Sequence, residues 1–323
     1  MRVLVTGGAG FIGRAVARRL AARGDQVTAV VRDPDQATEL AELGVVLRQG
    51  DLSRTAAIVD AMRGTDSAIH LAGMYRVGIP ASERPAMHDA NVGTTHRVLD
   101  AFATAGLDRM VATSTLNVVG NTHGRIVDER YRRDLTDGFL SYYDETKFLS
   151  HRAVQERIGS GARIVITMPG TTYGPNDHSQ IGQQLKGAHD GTLRYLALVD
   201  LGISPVYVDD VAAGIVAALD RGRIGESYFL GGQNMRLRDA MVMAARLGGR
   251  TLPRLEIPTF FLRVGARVPA AVARAARLPD DRGEVLRSTL GVTFWGSSAK
   301  AATELGYVPR DLASGLRATF DDR

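Results

Sequence analysis

The 323-residue sequence predicts an α/β chain: a doubly wound parallel sheet with a smaller, mainly helical C-terminal domain. Three observations carry this. Short apolar runs rich in β-branched residues alternate with helix-period segments through the first half, as a parallel sheet with helices on both faces requires. Those runs are apolar on both sides, as strands covered on two faces are. TGGAGFIG (6–13) joins the first strand to the first helix, a glycine turn of the kind that faces phosphate.

RVLVT (2–6) reads as a strand and FIGRAVARRLAARG (11–24) as a helix closed by glycine. QVTAVVR (26–32) is a strand and DQATELAEL (35–43) a helix; VVLRQGD (45–51), SAIHLAG (67–73), RMVATST (109–115) and ARIVITMPG (162–170) supply four more strands. After Gly174 a helix is expected over 179–190 and a strand over YLALVDLG (195–202). VYVDDVAAGIVAAL (206–219) and SYFLGG (227–232) return to the earlier pattern. From about residue 236 the chain is mainly helical, with breaks at Pro253, Pro258, Pro269, Pro279 and Pro309. The expected division is a nucleotide-binding domain over 1–170, to which 203–232 returns, and a substrate-binding domain from 171–202 and 233–323. There is no internal repeat.

Composition narrows the function classes. With 45% hydrophobic and 23% charged residues the balance is globular, and no apolar run approaches the ~18 residues of a bilayer span. The strand beginning almost at Met1 leaves no room for a signal peptide, and the lack of cysteine excludes disulfide and thiol chemistry; both fit a cytoplasmic protein. Seven scattered histidines make no metal-ligand spacing. The net charge of +5 comes without a basic block or interleaved aromatics. That favours an anionic small molecule over nucleic acid.

In the glycine turn, Gly7 permits the tight bend, Gly10 admits a pyrophosphate and Gly13 lets helix pack on strand. Phe11, Ile12 and Gly13 open the helix, whose free N–H groups and dipole attract phosphate. The second strand ends VVRDP. Arg32 stands where an acid would read a ribose diol, and a guanidinium suits a 2′-phosphate instead. This favours NADP(H) over NAD(H), although a one-residue shift of register would make Asp33 the ribose ligand.

SYYDETK (141–147) sets two tyrosines before a lysine. Residues four apart share a helix face, so Tyr143 and Lys147 point together and Tyr142 does not. An ammonium near the phenol would lower its pKa from ~10 and make Tyr143 a general acid/base. A half-buried Tyr and a solvated Lys would give the same letters.

The decision comes from a resemblance. TGGAGFIG, GDL at 50–52, HLAG at 70–73, NVGTT at 91–95, TST…VVG at 113–120, YDETK at 143–147, MPGTTYGP at 168–175 and YVDDVAAG at 207–214 together resemble the extended short-chain dehydrogenase/reductases, also called the NAD-dependent epimerase/dehydratase group. The likeness covers nearly the whole chain and implies a Rossmann-type fold. It implies Thr115, Tyr143 and Lys147 as the catalytic set, the hydroxyls holding the substrate oxygen and Lys147 also binding the nicotinamide ribose. It further implies adenine contacts from Asp51 and Leu52, and passage of the cofactor by Leu71, Ala72, Gly73 and Thr113. Pro169, Gly170, Thr171 and Thr172 then follow the nicotinamide, and Asn91 orders the helix behind the site.

Departures from the family narrow the reaction. Leu116 and Asn117 follow Thr115 where sugar-nucleotide dehydratases carry Asp-Glu. Met168 and Thr171 stand where many sugar-nucleotide enzymes carry Arg and Asn. The pattern is closer to the dihydroflavonol-reductase and hydroxysteroid-dehydrogenase-like branch. The expectation is an NADP(H)-dependent oxidoreductase of a ketone or secondary alcohol, with an epimerase of a nucleotide-linked sugar as the alternative. The tail FWGSSAKAATELGYVPRDLASGL (294–316) resembles that of hopanoid-associated sugar epimerases and reads as packing. The expected pocket draws on Met74 to Pro80, Leu116 to Gly120, His178, Phe260, Phe261 and Trp295. His151 is expected on the helix surface or a dimer face. The resemblance also implies a homodimer through the helix at about 86–105 and the helix starting near Tyr142.

Overall fold

The computed structural model describes residues 1–256 and 282–320. Seven strands form one parallel sheet: β1 Arg2–Thr6, β2 Gln26–Val31, β3 Val46–Gln49, β4 Ser67–His70, β5 Arg109–Thr113, β6 Ile164–Pro169 and, after three short strands, Ser227–Leu230. From one edge the order is Ser227–Leu230, β6, β5, β4, β1, β2, β3. The winding reverses between β1 and β4, and ligands of such sheets sit in the crevice at the strands' C-terminal ends at that point.

Alternate side chains of each strand enter different cores. Val3 and Val5 of β1, Val111 of β5 and Val165 of β6 pack with helices α1 (Phe11–Ala22) and Val208–Arg221. Leu4, Met110, Ala112, Ile164 and Ile166 face the other way, against α3 (Thr55–Met62), α5 (Thr94–Ala105) and α6 (Tyr142–Gly159). With both faces apolar, the strands have the doubly buried character their composition predicts.

Several boundaries differ from the sequence reading. β2 stops at Val31, and the helix expected over 35–43 is a 3-10 turn, Pro34–Ala37, followed by the short helix α2, Thr38–Glu42. YLALVDLG (195–202) is not a strand. Leu198 adopts φ +59°, a left-handed conformation that breaks extended backbone, and Leu196, Val199 and Leu201 are buried in the core shared with Gln180–Asp190 and Leu237–Leu247. At its end Gly202–Ile203 pairs antiparallel to Met235–Arg236, and within it Leu196 makes an isolated parallel bridge to Glu256. Ahead of α5 come α4 (Arg84–His88) and a π-helical turn over Asp89–Gly93; such turns commonly mark functional positions.

Leu237–Leu247 packs against Gln180–Asp190 and against the last described helix, Leu312–Phe320. The tail also stitches back to the loop after β5: Thr122 N donates to Thr293 O at 2.8 Å and Val127 N to Trp295 O at 3.1 Å. Among the described residues no helix is long and apolar enough to cross a membrane.

Candidate active site

A cleft of about 580 Å³ opens at the C-terminal ends of β1, β4, β5 and β6. One end is the glycine turn. Gly7 has φ +73° and lies so close to the chain after β4 that a Cβ there would come within 2.7 Å of Ala72 N; on Gly13 it would come within 2.0 Å of Gly7 O. Leu71 to Gly73 therefore cross directly over the turn. No side chain caps α1 at Gly10, so the first N–H groups of the helix are left to a ligand.

Gly7, Gly10, Phe11, Ile12, Gly13, Leu71, Gly73, Thr113, Thr115, Tyr143, Lys147 and Pro169 to Thr172 all line this cleft. Ala72 does not, but it backs onto Gly7. Arg32, Asp51 and Leu52 lie outside the wall, on the loops after the adjacent strands β2 and β3. Arg32 is exposed, and among the described residues nothing pairs with its guanidinium. Asp33 is occupied: its carboxylate accepts from Asp35 N at 3.1 Å and Gln36 Nε2 at 2.8 Å, capping the 3-10 turn. Asp51 accepts from Ser53 Oγ and from Ser53 N at 3.0 Å, which together hold its carboxyl below the usual range.

Ser141 caps α6 by accepting from Asp144 N at 3.1 Å, which fixes where Tyr143 emerges. Tyr143 is 8% exposed and packs with Ile79 and Met87, its ring edge-on to Tyr75 at 4.8 Å. Burial pushes the phenol's pKa up, Tyr75 adds to this, and the nearby Thr115 hydroxyl opposes it. This corrects the expectation that Lys147 lowers it: desolvation outweighs any charge effect, and Lys147 is not among the groups acting on the phenol. The Lys147 ammonium approaches Gly73 instead, 3.9 Å from where a Cβ on that glycine would stand, and burial pushes its pKa down to about 8. Among the described residues nothing pairs with it.

Both Ser114 and Thr115 line the cleft, but Ser114 Oγ is held by His151 Nδ1 at 3.1 Å. His151 is therefore not on the surface: it is 8% exposed, and burial lowers its pKa to about 4. Asn91, 2% exposed, sits in the π-helical turn. It accepts from Met74 N at 2.7 Å and donates to Met74 O at 3.1 Å and Thr146 Oγ1 at 2.9 Å. It thus pins the loop after β4 to α6.

The pocket expectation holds in part. Met74, Tyr75, Val77, Asn117 and His178 line the cleft; Arg76, Gly78 to Pro80, Leu116 and Val118 to Gly120 do not. Trp295 turns away, its Nε1 donating to Met235 O at 3.3 Å, and Phe294 faces in instead. Phe260 and Phe261 lie outside the described residues.

Several residues of this region escaped the sequence reading. Arg133 and Asp144, 5% and 4% exposed, form a two-pronged ion pair at 2.6 and 2.7 Å beside Tyr143. Glu284, 1% exposed, accepts from Tyr142 N at 3.0 Å and Gly78 N at 3.3 Å and lies 3.5 Å from Arg84. It ties the C-terminal segment to the start of α6 and to the loop after β4. Asp177 and Gln184 also line the cleft. The only signal for these was their type, since the partners stand 11 to 206 residues away.

Known proteins share this arrangement. The family model described as NAD dependent epimerase/dehydratase family matches residues 3–231. Sterol demethylase protein B of Methylococcus capsulatus is 30% identical, over 100% of this chain and 97% of its own. A 2-alkyl-3-oxoalkanoate reductase of Stenotrophomonas maltophilia is 30% identical, over 98% of each. The crystal structure of gox2253 superposes with a TM-score of 0.85 at 31% identity, covering 99% of this chain and 96% of its own.

Proposed function

The chain belongs to the NAD dependent epimerase/dehydratase family and is an NAD(P)-dependent enzyme of the extended short-chain dehydrogenase/reductase type, and from that premise we propose that it is an NADP(H)-dependent oxidoreductase interconverting a ketone and a secondary alcohol. The observation that carries the reading is that the Thr115 and Tyr143 hydroxyls, with Lys147 one helical turn on, line the same cleft that begins at the glycine turn.

The residues fit a dinucleotide. The crowding around Gly7 and Gly13 leaves room for backbone alone, and the start of α1 is uncapped. Arg32 would hold the 2′-phosphate, Asp51 and Leu52 the adenine, Lys147 the ribose hydroxyls, and Pro169 to Thr172 the nicotinamide. The bound cofactor supplies or accepts the hydride.

The rest falls to the chain itself. Thr115 and Tyr143 donate hydrogen bonds to the carbonyl oxygen and stabilise the charge that develops on it. The buried phenol is fully protonated at neutral pH, so Tyr143 has a proton to give in the reductive direction. The Lys147 ammonium would hold the ribose hydroxyls and so place the nicotinamide beside Tyr143 for this transfer. Among the described residues it is the only Lys or Arg in the wall, a poor match for the diphosphate of a sugar nucleotide. The relative named a reductase of 3-oxoalkanoates supports the same direction.

The test is a fluorescence titration followed by a panel of apolar ketones. NADPH is expected to bind at least tenfold tighter than NADH, roughly 1.4 kcal/mol, and Arg32→Ala to remove most of that difference. Tighter NADH binding would make Asp33 the ribose ligand, and turnover of nucleotide sugars without net NADPH loss would favour the epimerase.

The pH profile gives a second test. Lys147 titrates at about 8 and acts as the ammonium. With limiting NADPH, ketone reduction should therefore fall as pH rises through about 8. A rate unchanged well above that pH would remove Lys147's charge from the account. The homodimer through α5 and α6 is part of the proposal: light scattering should give twice the chain mass, and a monomer would refute it.

A further inference from the structure

Beyond Tyr143 the cleft is mostly apolar, walled by Met74, Val77, Ile181, Leu201, Ile203 and Phe294. The polar groups of that region are largely committed to the fold. Ser179 Oγ accepts from Gly182 N at 3.0 Å, and Ser288 Oγ and Thr289 Oγ1 both donate to Val285 O, at 2.9 and 2.6 Å. Asp177 Oδ1 accepts from Ser179 N at 2.8 Å, and its other oxygen lies against Gly182, 2.3 Å from where a Cβ there would stand. That carboxylate is thus turned onto the first turn of helix Gln180–Asp190.

Two acceptors are the exceptions: the second oxygen of Asp177, which is buried without a partner, and the Gln184 amide. Gln180, Ile181 and Gln184 share one face of that helix and all three line the cleft. The Gln184 Oε1 is shielded from water and has no hydrogen-bond partner among the described residues, and its Nε2 makes none either. The amide is thus uncommitted to the fold at the cleft wall, and a turn about its last side-chain torsion offers its oxygen to a ligand donor and relieves the unmet acceptor. The charge around it selects the kind of donor. The Asp177 carboxylate is nearby in sequence and in the same wall, while Lys147 sits at Gly73, so an anionic substituent at this end finds no counter-charge.

Resting on the hydride-transfer reading above, we infer that Gln184 reads a hydroxyl on an uncharged, mainly apolar carbonyl substrate, at the end of the molecule away from the carbon that Tyr143 serves. Gln184 is a specificity-determining residue, and an analogue lacking the hydroxyl leaves its amide unmet.

The test is binding of two ketones to the enzyme holding NADPH: para-hydroxybenzylacetone, with a hydroxyl remote from its carbonyl, and benzylacetone, without it. The parent should bind the hydroxylated ketone about tenfold tighter, the effect of one well-placed neutral hydrogen bond. Gln184→Leu should bring the ratio close to one by weakening the hydroxylated ketone alone, with NADPH affinity unchanged. Gln184→Glu, which keeps an acceptor, should retain the preference. Equal binding by the parent, failure of both ketones to bind, or a preference that survives in Gln184→Leu would overturn the inference. If the leucine variant does not fold, the parent's ratio and the glutamate variant decide. Turnover is scored separately. A hydroxyl preference in binding without NADPH consumption would sink the hydride-transfer reading and leave Gln184's role standing. Reduction of both ketones without preference would do the reverse.

Discussion

Tyr143→Phe is expected to lower kcat by roughly two to four powers of ten, the usual worth of a positioned general acid, while leaving the dinucleotide Kd within about twofold. The two readouts separate because the substitution removes one oxygen. The phenylalanine ring keeps its edge-on contact with Tyr75 and its place among Met74, Val77, Ile79 and Met87. The glycine turn and Lys147 are untouched. Loss of NADPH binding along with turnover would mean that the variant has collapsed the cleft. A fall in kcat of less than tenfold would mean that another group supplies the proton, and Ser114, already bonded to His151, would be examined first.

Arg133→Met is expected to cost about 3–5 kcal/mol, because it leaves the Asp144 carboxylate buried without its partner. Asp144 is 4% exposed, accepts both prongs of Arg133 and takes Leu140 N at 2.9 Å. The guanidinium also stacks on Phe139, 4.7 Å from the ring centre. At ~2.1 cal/mol/K of unfolding entropy per residue this is a drop of roughly 4–7 °C in thermal midpoint. Replacing both partners with apolar residues should recover part of the loss, since a buried pair stabilises little over a well-packed isostere. A change below about 1 kcal/mol would mean that water reaches the carboxylate.

The parts legible in the sequence were those whose physics is local. Strands β1, β2 and β4 to β6 announce themselves because burial on both faces demands continuous apolar runs, and the glycine turn because only glycine fits against Ala72 and Gly7 O. Tyr143 and Lys147 were legible as one helix face. What escaped depends on distant partners. YLALVDLG has a strand's composition, but its apolar residues find a core between Gln180–Asp190 and Leu237–Leu247, and Leu198 bends the chain. The tyrosine–lysine spacing suggested a lowered phenol pKa, yet spacing along a helix does not report the desolvation that dominates at 8% exposure. His151 looked superficial because its partner Ser114 lies 37 residues earlier. Glu284 gave no local sign that it meets Gly78 and Tyr142.

The most direct measurement is deuterium transfer. The enzyme would be given an apolar ketone and NADPH deuterated at its transferable position, and the product alcohol analysed by mass spectrometry and proton NMR. The account predicts one deuterium on the carbinol carbon, appearing at the rate of NADPH loss and nearly absent with Tyr143→Phe. An alcohol carrying no deuterium, or NADPH left intact while a sugar nucleotide changes configuration, would contradict it.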